Sequence, residues 1–244
     1  MQNTSGIMKQ RGLALSLAAV FLLLSGFGRT TEAVNPIDSL SVVSKRLQAG
    51  PNQTVKTLDY YSELVNKLSN QPHDTSLLAL VYNQLGGNYY MHARYDQALK
   101  SAHMALRLYL NASDTSGLYK LYHNMGIIYE ANRDYEQAWK YLMLAHDMVI
   151  RRLESNPTDA EAMRIRPGLY NNMGIVCDNR GMDELAMQYY EKALAFSNDM
   201  HDETVMLTAG LNIGILYGKT GNYPLALQYI QSAYDLAIRN KEHY

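Results

Sequence analysis

Four segments of the chain repeat one pattern, and this internal repeat limits the fold more than any other feature of the sequence. Each segment centres on a glycine, and alanines follow that glycine at twelve and at nineteen residues. The glycines are Gly86, Gly126, Gly174 and Gly214, and the alanines twelve residues later are Ala98, Ala138, Ala186 and Ala226. Successive glycines are 40, 48 and 40 residues apart. Periods in this range are typical of stacked supersecondary units, none of which can bury its apolar face alone.

Aromatic and large apolar residues complete the pattern around each glycine. One segment reads Tyr122-His-Asn-Met-Gly-Ile-Ile-Tyr129, and the other segments align with it in phase. This order of aromatic, large apolar, glycine, aromatic and two alanines resembles the tetratricopeptide repeat, a helix-turn-helix unit. The resemblance implies an all-α, right-handed superhelical solenoid of antiparallel helix hairpins. The repeat region would span 75–244, with four repeats at about 79–112, 119–152, 167–200 and 207–240.

Glycine in the first helix and alanine in the second are expected to let the two helices of a hairpin approach closely. Polar segments at 132–135, 179–181 and 219–223 predict the turns inside the repeats.

Between the second and third repeats, Asn156 and Pro157 are expected to end one helix. Thr158 with Glu161 fits a capping box for the next helix. Pro167 lies at the start of the third repeat, so a break or kink is expected in its first helix.

The first 33 residues have the layout of a secretory signal peptide. Lys9 and Arg11 precede an uncharged stretch, 12–28, and Thr31-Glu32-Ala33 supplies small residues at the usual cleavage spacing. Cleavage near Ala33 would export the chain to the bacterial periplasm or cell envelope. An uncleaved membrane anchor is the less favoured alternative, because the stretch 12–28 is shorter than the about 20 apolar residues that a spanning helix needs. Residues 34–74 then show helical spacing on both sides of a Gly-Pro-Asn break, which predicts a degenerate helical hairpin.

Composition argues against several functional classes. The chain has 22 Lys and Arg against 23 Asp and Glu, so it lacks the basic excess of a nucleic-acid-binding protein. A single cysteine excludes a disulfide framework or a thiolate metal cluster within the chain. No phosphate-binding loop, nucleophile elbow or zinc-binding His-Glu-x-x-His motif is present. We therefore predict no catalytic residue, no metal, no cofactor and no nucleic acid, and a protein or peptide as the partner.

The resemblance also implies where a peptide would bind. In tetratricopeptide proteins the first helices line a concave groove, where asparagines two residues before each glycine pair with the backbone of an extended ligand. The matching residues are Gln84, Asn124, Asn172 and Asn212, and the neighbouring groove candidates are Asn83, Tyr90, His123 and Asn171. An amide offers both a donor and an acceptor to a main chain. The alternative is that these asparagines serve the packing of the array itself.

The charges expected along this groove are mixed. Lys120 and Lys219 stand against Glu130 and Asp178. This balance does not match the basic clamp with which some members of the family hold an acidic carboxyl terminus.

The last helix, expected at about 223–240, carries Leu227, Tyr234 and Ile238 outside the stripe that packs into its own repeat. Because solenoids need a polar cap, we expect either that the chain continues beyond Tyr244, where a membrane segment is one alternative, or that a partner or a second copy covers this face. Exported arrays with 40-residue periods resemble the amino-terminal part of bacterial membrane sensors. The resemblance implies a protein interaction scaffold that serves as the sensing portion of a signalling protein. The alternatives are a freestanding envelope assembly scaffold and the accessory region of an enzyme.

Overall fold

The computed structural model describes residues 53–69, 75–115 and 117–242, which form nine α-helices and no β-strand. The helices are α1 Gln53–Ser69, α2 Thr75–Met91, α3 Tyr95–Asn111, α4 Leu118–Ala131, α5 Tyr135–Ser155, α6 Ala160–Asn179, α7 Asp183–Met200, α8 Glu203–Lys219 and α9 Tyr223–Glu242. The predicted signal peptide lies outside the described residues, as does the first half of the hairpin predicted for 34–74. Helix α1 occupies the second half of that hairpin.

The helices pack as consecutive hairpins, in which α2 pairs with α3, α4 with α5, α6 with α7 and α8 with α9. Neighbouring hairpins stack because the second helix of each packs on the first helix of the next, and α1 packs on α2. The predicted all-α helical repeat solenoid is therefore confirmed. We call α2, α4, α6 and α8 the first helices.

Each repeat glycine lies where its hairpin partner comes closest. A Cβ built on Gly86, Gly126 or Gly214 would lie 3.2, 3.3 and 3.2 Å from the carbonyl oxygen of the alanine twelve residues later. Such distances leave no room for a side chain without movement of the partner backbone. The glycine and alanine positions of the sequence pattern thus mark the helix crossings.

One turn is used in all four hairpins. The second residue after the end of each first helix has a left-handed backbone, with φ of 55° at Ala93, 62° at Arg133, 72° at Gly181 and 80° at Gly221. The following residue returns a backbone hydrogen bond to the helix, as Asp134 does to the carbonyl of Tyr129 at 2.9 Å. This bond satisfies a carbonyl that the helix end would otherwise leave unpaired. The predicted turn positions are confirmed.

The start of α6 differs from the prediction. Asp159, and not Thr158, caps the helix: its carboxylate accepts the backbone N–H groups of Glu161 and Ala162 at 3.1 and 3.0 Å. A carboxylate is the stronger acceptor at the positive end of a helix. The Glu161 side chain is consequently not part of a capping box and reaches the preceding repeat.

Pro167 does not interrupt α6, so the expected break is wrong. The helix begins seven residues before the proline and continues through it to Asn179. Proline removes one backbone hydrogen bond at this point. Buried residues on both sides, Ala162 and Leu169, belong to the same core cluster, and their packing holds the two parts in one helix.

Candidate functional site

A repeated hydrogen bond joins neighbouring first helices. The amide two residues before the glycine of one repeat donates to the side chain three residues before the glycine of the preceding repeat. These asparagine rungs run from Asn124 to Asn83 at 3.0 Å, from Asn172 to His123 at 2.8 Å and from Asn212 to Asn171 at 3.1 Å. Six of the eight predicted groove residues are thus paired with one another.

His123 takes the place of an asparagine in the middle rung. Burial lowers the pKa of its imidazole to about 4, although a hydrogen bond with the backbone of Gly168 opposes part of this effect. The imidazole is therefore neutral near pH 7, and its unprotonated Nε2 accepts the amide N–H of Asn172.

A second set of rungs lies seven residues, or about two helical turns, further along the first helices. Asn179 donates to Glu130 Oε1 at 3.0 Å, and Lys219 donates to Asp178 Oδ1 at 2.6 Å. Lys219 also reaches Asp183 on α7 at 2.8 Å. Burial raises the pKa of Glu130, and the bond from Asn179 partly offsets this rise. Each of these carboxylates is thus held by the next hairpin.

The rungs engage one N–H of each predicted ligand-binding asparagine. The second N–H and the carbonyl oxygen of such an amide take no part in its rung. Binding of a peptide backbone by Asn124, Asn172 and Asn212 stays a prediction, and their packing role is a second function of the same side chains.

The two remaining candidates, Gln84 and Tyr90, lie in an open pocket between α2 and α4. The pocket has a volume of about 260 Å³. It is lined by Gln84, Gly87, Asn88, Tyr90, Met91, Asn124, Ile127 and Ile128. The pocket therefore combines amides that can pair with a main chain and apolar surface that can bind side chains.

Sequence reasoning missed the residue that follows each glycine. A helix turns by about 100° per residue, so this residue points away from the hairpin partner that the glycine touches. Ile127 lines the pocket, and Ile215 is 54% exposed on α8. The signal was the dipeptide Gly-Ile, which begins at residues 126, 174 and 214.

Both lysines of the predicted mixed-charge groove contact carboxylates. Lys120 Nζ lies 2.6 Å from Glu161 Oε1, and Lys219 bridges Asp178 and Asp183. The phenol of Tyr119, which is fully buried, donates to the other oxygen of Glu161 at 2.8 Å. The contacts of Glu161 tie the second hairpin to the third, and those of Lys219 tie the third to the fourth.

The described residues show no sign of metal binding, a membrane-spanning helix or thiol chemistry. Across residues 53–69, 75–115 and 117–242, no three His, Cys, Asp or Glu side chains are grouped to hold a metal ion. None of the described helices has both the length and the apolar character needed to cross a membrane. The thiol of Cys177 is buried, and burial raises its pKa to about 11, which fits a packing role.

Comparison with known proteins supports the repeat assignment. A family model for the tetratricopeptide repeat matches residues 119–147 and 167–199. The chain is 23% identical over 171 residues to the Tonsoku-like protein of Mus musculus, an alignment that covers 67% of this chain and 12% of that protein.

Solved structures show the same fold. The crystal structure of BtubC from P. vanneervenii superposes with a TM-score of 0.71 at 19% identity, covering 98% of this chain and 93% of BtubC. TPR-like repeats of a kinesin light chain from Podosopora anserina give 0.63 at 13% identity, covering 87% and 100%. Proteins with this fold generally act as non-catalytic scaffolds that bind protein partners. Two of the repeats therefore match the tetratricopeptide repeat, and the described residues form an all-α solenoid of the same kind.

Proposed function

We propose that this chain is a scaffold of the bacterial cell envelope that binds extended segments of partner proteins along its first helices. The pocket between α2 and α4 carries the proposal, because it places the amides of Gln84 and Asn124 beside the apolar side chains of Met91 and Ile127. Amides can pair with any main chain. Because each hydrogen bond contributes only about 1 kcal/mol net, useful affinity also requires the apolar contacts.

The signal-peptide pattern of residues 1–33 supports an extracytoplasmic location. We further propose that the chain is the sensing or partner-binding portion of a signalling protein, attached to the membrane by a segment beyond residue 244. A freestanding assembly scaffold and the accessory region of an enzyme are the alternatives. The gene sequence downstream of codon 244 distinguishes the membrane-attached sensor from the freestanding scaffold. We also propose that a partner covers the exposed side of the last helix, α9.

Peptide binding can be tested by panning a phage library of random twelve-residue peptides against the full chain. We expect enriched peptides whose affinity falls at least tenfold in an Ile127→Asp variant. Gln84→Ala should weaken binding less, because only one amide is lost. A Leu144→Asp variant is the matched control, since Leu144 is exposed on α5 outside the pocket. Peptides that bind all three variants equally would place the ligand elsewhere, and no enrichment would refute the peptide-binding proposal.

Export is tested separately, by expressing the full gene in a bacterium and sequencing the amino terminus of the protein from the periplasmic fraction. A chain that begins close to Val34 is expected. Retention of the leader in a cytoplasmic product would contradict the proposed location and leave the peptide-binding result unaffected.

A further inference from the structure

The outer face of α9 carries a stripe of exposed apolar side chains. These are Tyr223, Leu227, Ile230, Tyr234 and Ile238, which are 72, 68, 40, 58 and 40% exposed. They follow one another at intervals of three or four residues and therefore lie along one side of the helix. We call this set the α9 stripe.

In the inner repeats, the position of Leu227 is covered by the next hairpin. Leu227 follows the alanine of its repeat directly, as Trp139 and Met187 do in the second and third repeats. Trp139 and Met187 are only partly exposed, and both pack against the core cluster that contains Cys177 and Ile213. The α9 stripe therefore has the chemistry of a stacking surface, and no further helix in the described chain covers it.

The structure assigns this surface to a second copy of the same chain, paired with the first through antiparallel packing of the two α9 helices about a two-fold axis. The stripe exposes on the order of 600 Å² of largely apolar surface. This approaches the roughly 800 Å² that each partner contributes to a standard protein interface.

Charge also favours a second copy. No charged residue occurs between Tyr223 and Tyr234, so two copies can meet along this stretch without like-charge repulsion. The charged residues of the helix lie in its last eight residues, at Asp235, Arg239, Lys241 and Glu242.

The spacing of the first four residues of the α9 stripe favours one register of the pair, and Ile238 lies outside this pairing. Residues 223, 227, 230 and 234 are separated by four, three and four positions, which reads the same in both directions. Tyr223 would therefore pack on Tyr234 of the second copy, and Leu227 on Ile230 of the second copy. The inference rests on the part of the proposed function that gives the last helix a partner. Its test reads molecular mass and not peptide capture, so the two can fail independently.

Sedimentation equilibrium of the full chain, 27.6 kDa, provides the test. We expect a reversible dimer. Tyr223→Asp should raise the dimer dissociation constant at least tenfold, because it buries an unpaired charge. Adding Tyr234→Lys to Tyr223→Asp should restore most of the affinity, since the two-fold register brings each new aspartate against the new lysine of the other copy. Leu110→Asp, on the exposed part of α3, is the control and should leave the dimer unchanged.

Each alternative occupant gives a different result. A chain that remains monomeric at all concentrations would assign the stripe to another protein or to another segment of this chain, and would overturn the inference. A mass that grows without limit would indicate head-to-tail stacking and would overturn the two-fold pairing. A dimer that Tyr223→Asp breaks and the double variant does not restore would refute the antiparallel register. Circular dichroism of each variant confirms that the helices are intact.

Discussion

Gly174 lies directly against the ring of Tyr190, so that a Cβ built on the glycine would come within 2.5 Å of two ring carbons. Tyr190 is 1% exposed, so its ring is packed inside the protein. The contact shows why the first helix of the third hairpin has no side chain at this point.

Replacement of Gly174 by alanine is expected to lower the free energy of unfolding by about 1–3 kcal/mol, because the methyl group overpacks the crossing. Gly87 is the matched control: it also lies inside a helix, and a Cβ there would meet nothing within 4 Å. Gly87→Ala should raise stability by roughly 0.5–1 kcal/mol. Urea unfolding measures both changes. Equal stability of the two alanine variants would show that the glycine crossing is not tightly packed.

The neutral imidazole of His123 makes the stability of the array depend on pH. Its folded pKa of about 4 lies below the ordinary value, so the unfolded chain takes up the proton more readily. This contribution to stability is complete above about pH 6.5 and is lost as the pH falls towards 4. Between pH 7 and 5 we expect a loss of about 1–2 kcal/mol, measured by urea unfolding at both values. A His123→Gln variant should lose less; an identical loss would assign the pH dependence to other groups.

Asn171 and Asn212 form the asparagine rung between the third and fourth hairpins. Asn171→Ala leaves the amide of Asn212 without its acceptor and is expected to cost about 1–2 kcal/mol. In a double-mutant cycle with Asn212→Ala, the coupling energy from urea unfolding should be about 0.5–1.5 kcal/mol. Strictly additive effects would mean that the rung contributes no stability.

Glu161 accepts two hydrogen bonds, which we expect to contribute unequally to stability. Glu161→Ala should cost about 1–3 kcal/mol, because it leaves the buried phenol of Tyr119 unpaired. Removal of the other donor by Lys120→Met should cost less than about 1 kcal/mol, since that ion pair is partly exposed to solvent. Thermal unfolding of both variants measures the difference. The reverse order would assign the stabilisation to the ion pair.

The repeat pattern predicts the hairpins and turns because these depend on residues close together in sequence. The glycine and alanine of one crossing are twelve residues apart, and the left-handed turn follows from Gly181 and Gly221. The rungs were beyond such reasoning, because Asn212 and its acceptor are 41 residues apart. Which N–H of an amide is used depends on how two hairpins are oriented.

The differences at α6 have the same origin. Tertiary packing carries the helix through Pro167, and Glu161 leaves its expected cap position for the neighbouring hairpin. Local preference alone predicts neither result.

Two rungs at different heights restrict the motion of one first helix relative to the next more than one rung could. A single hydrogen bond sets a distance, whereas two bonds separated by two helical turns also oppose torsion of one first helix against the next. A ligand that drew an asparagine away from its rung would release that restraint at one joint. Occupancy of the groove and curvature of the solenoid would then be thermodynamically linked, so bending the array would alter the affinity and binding would alter the bend.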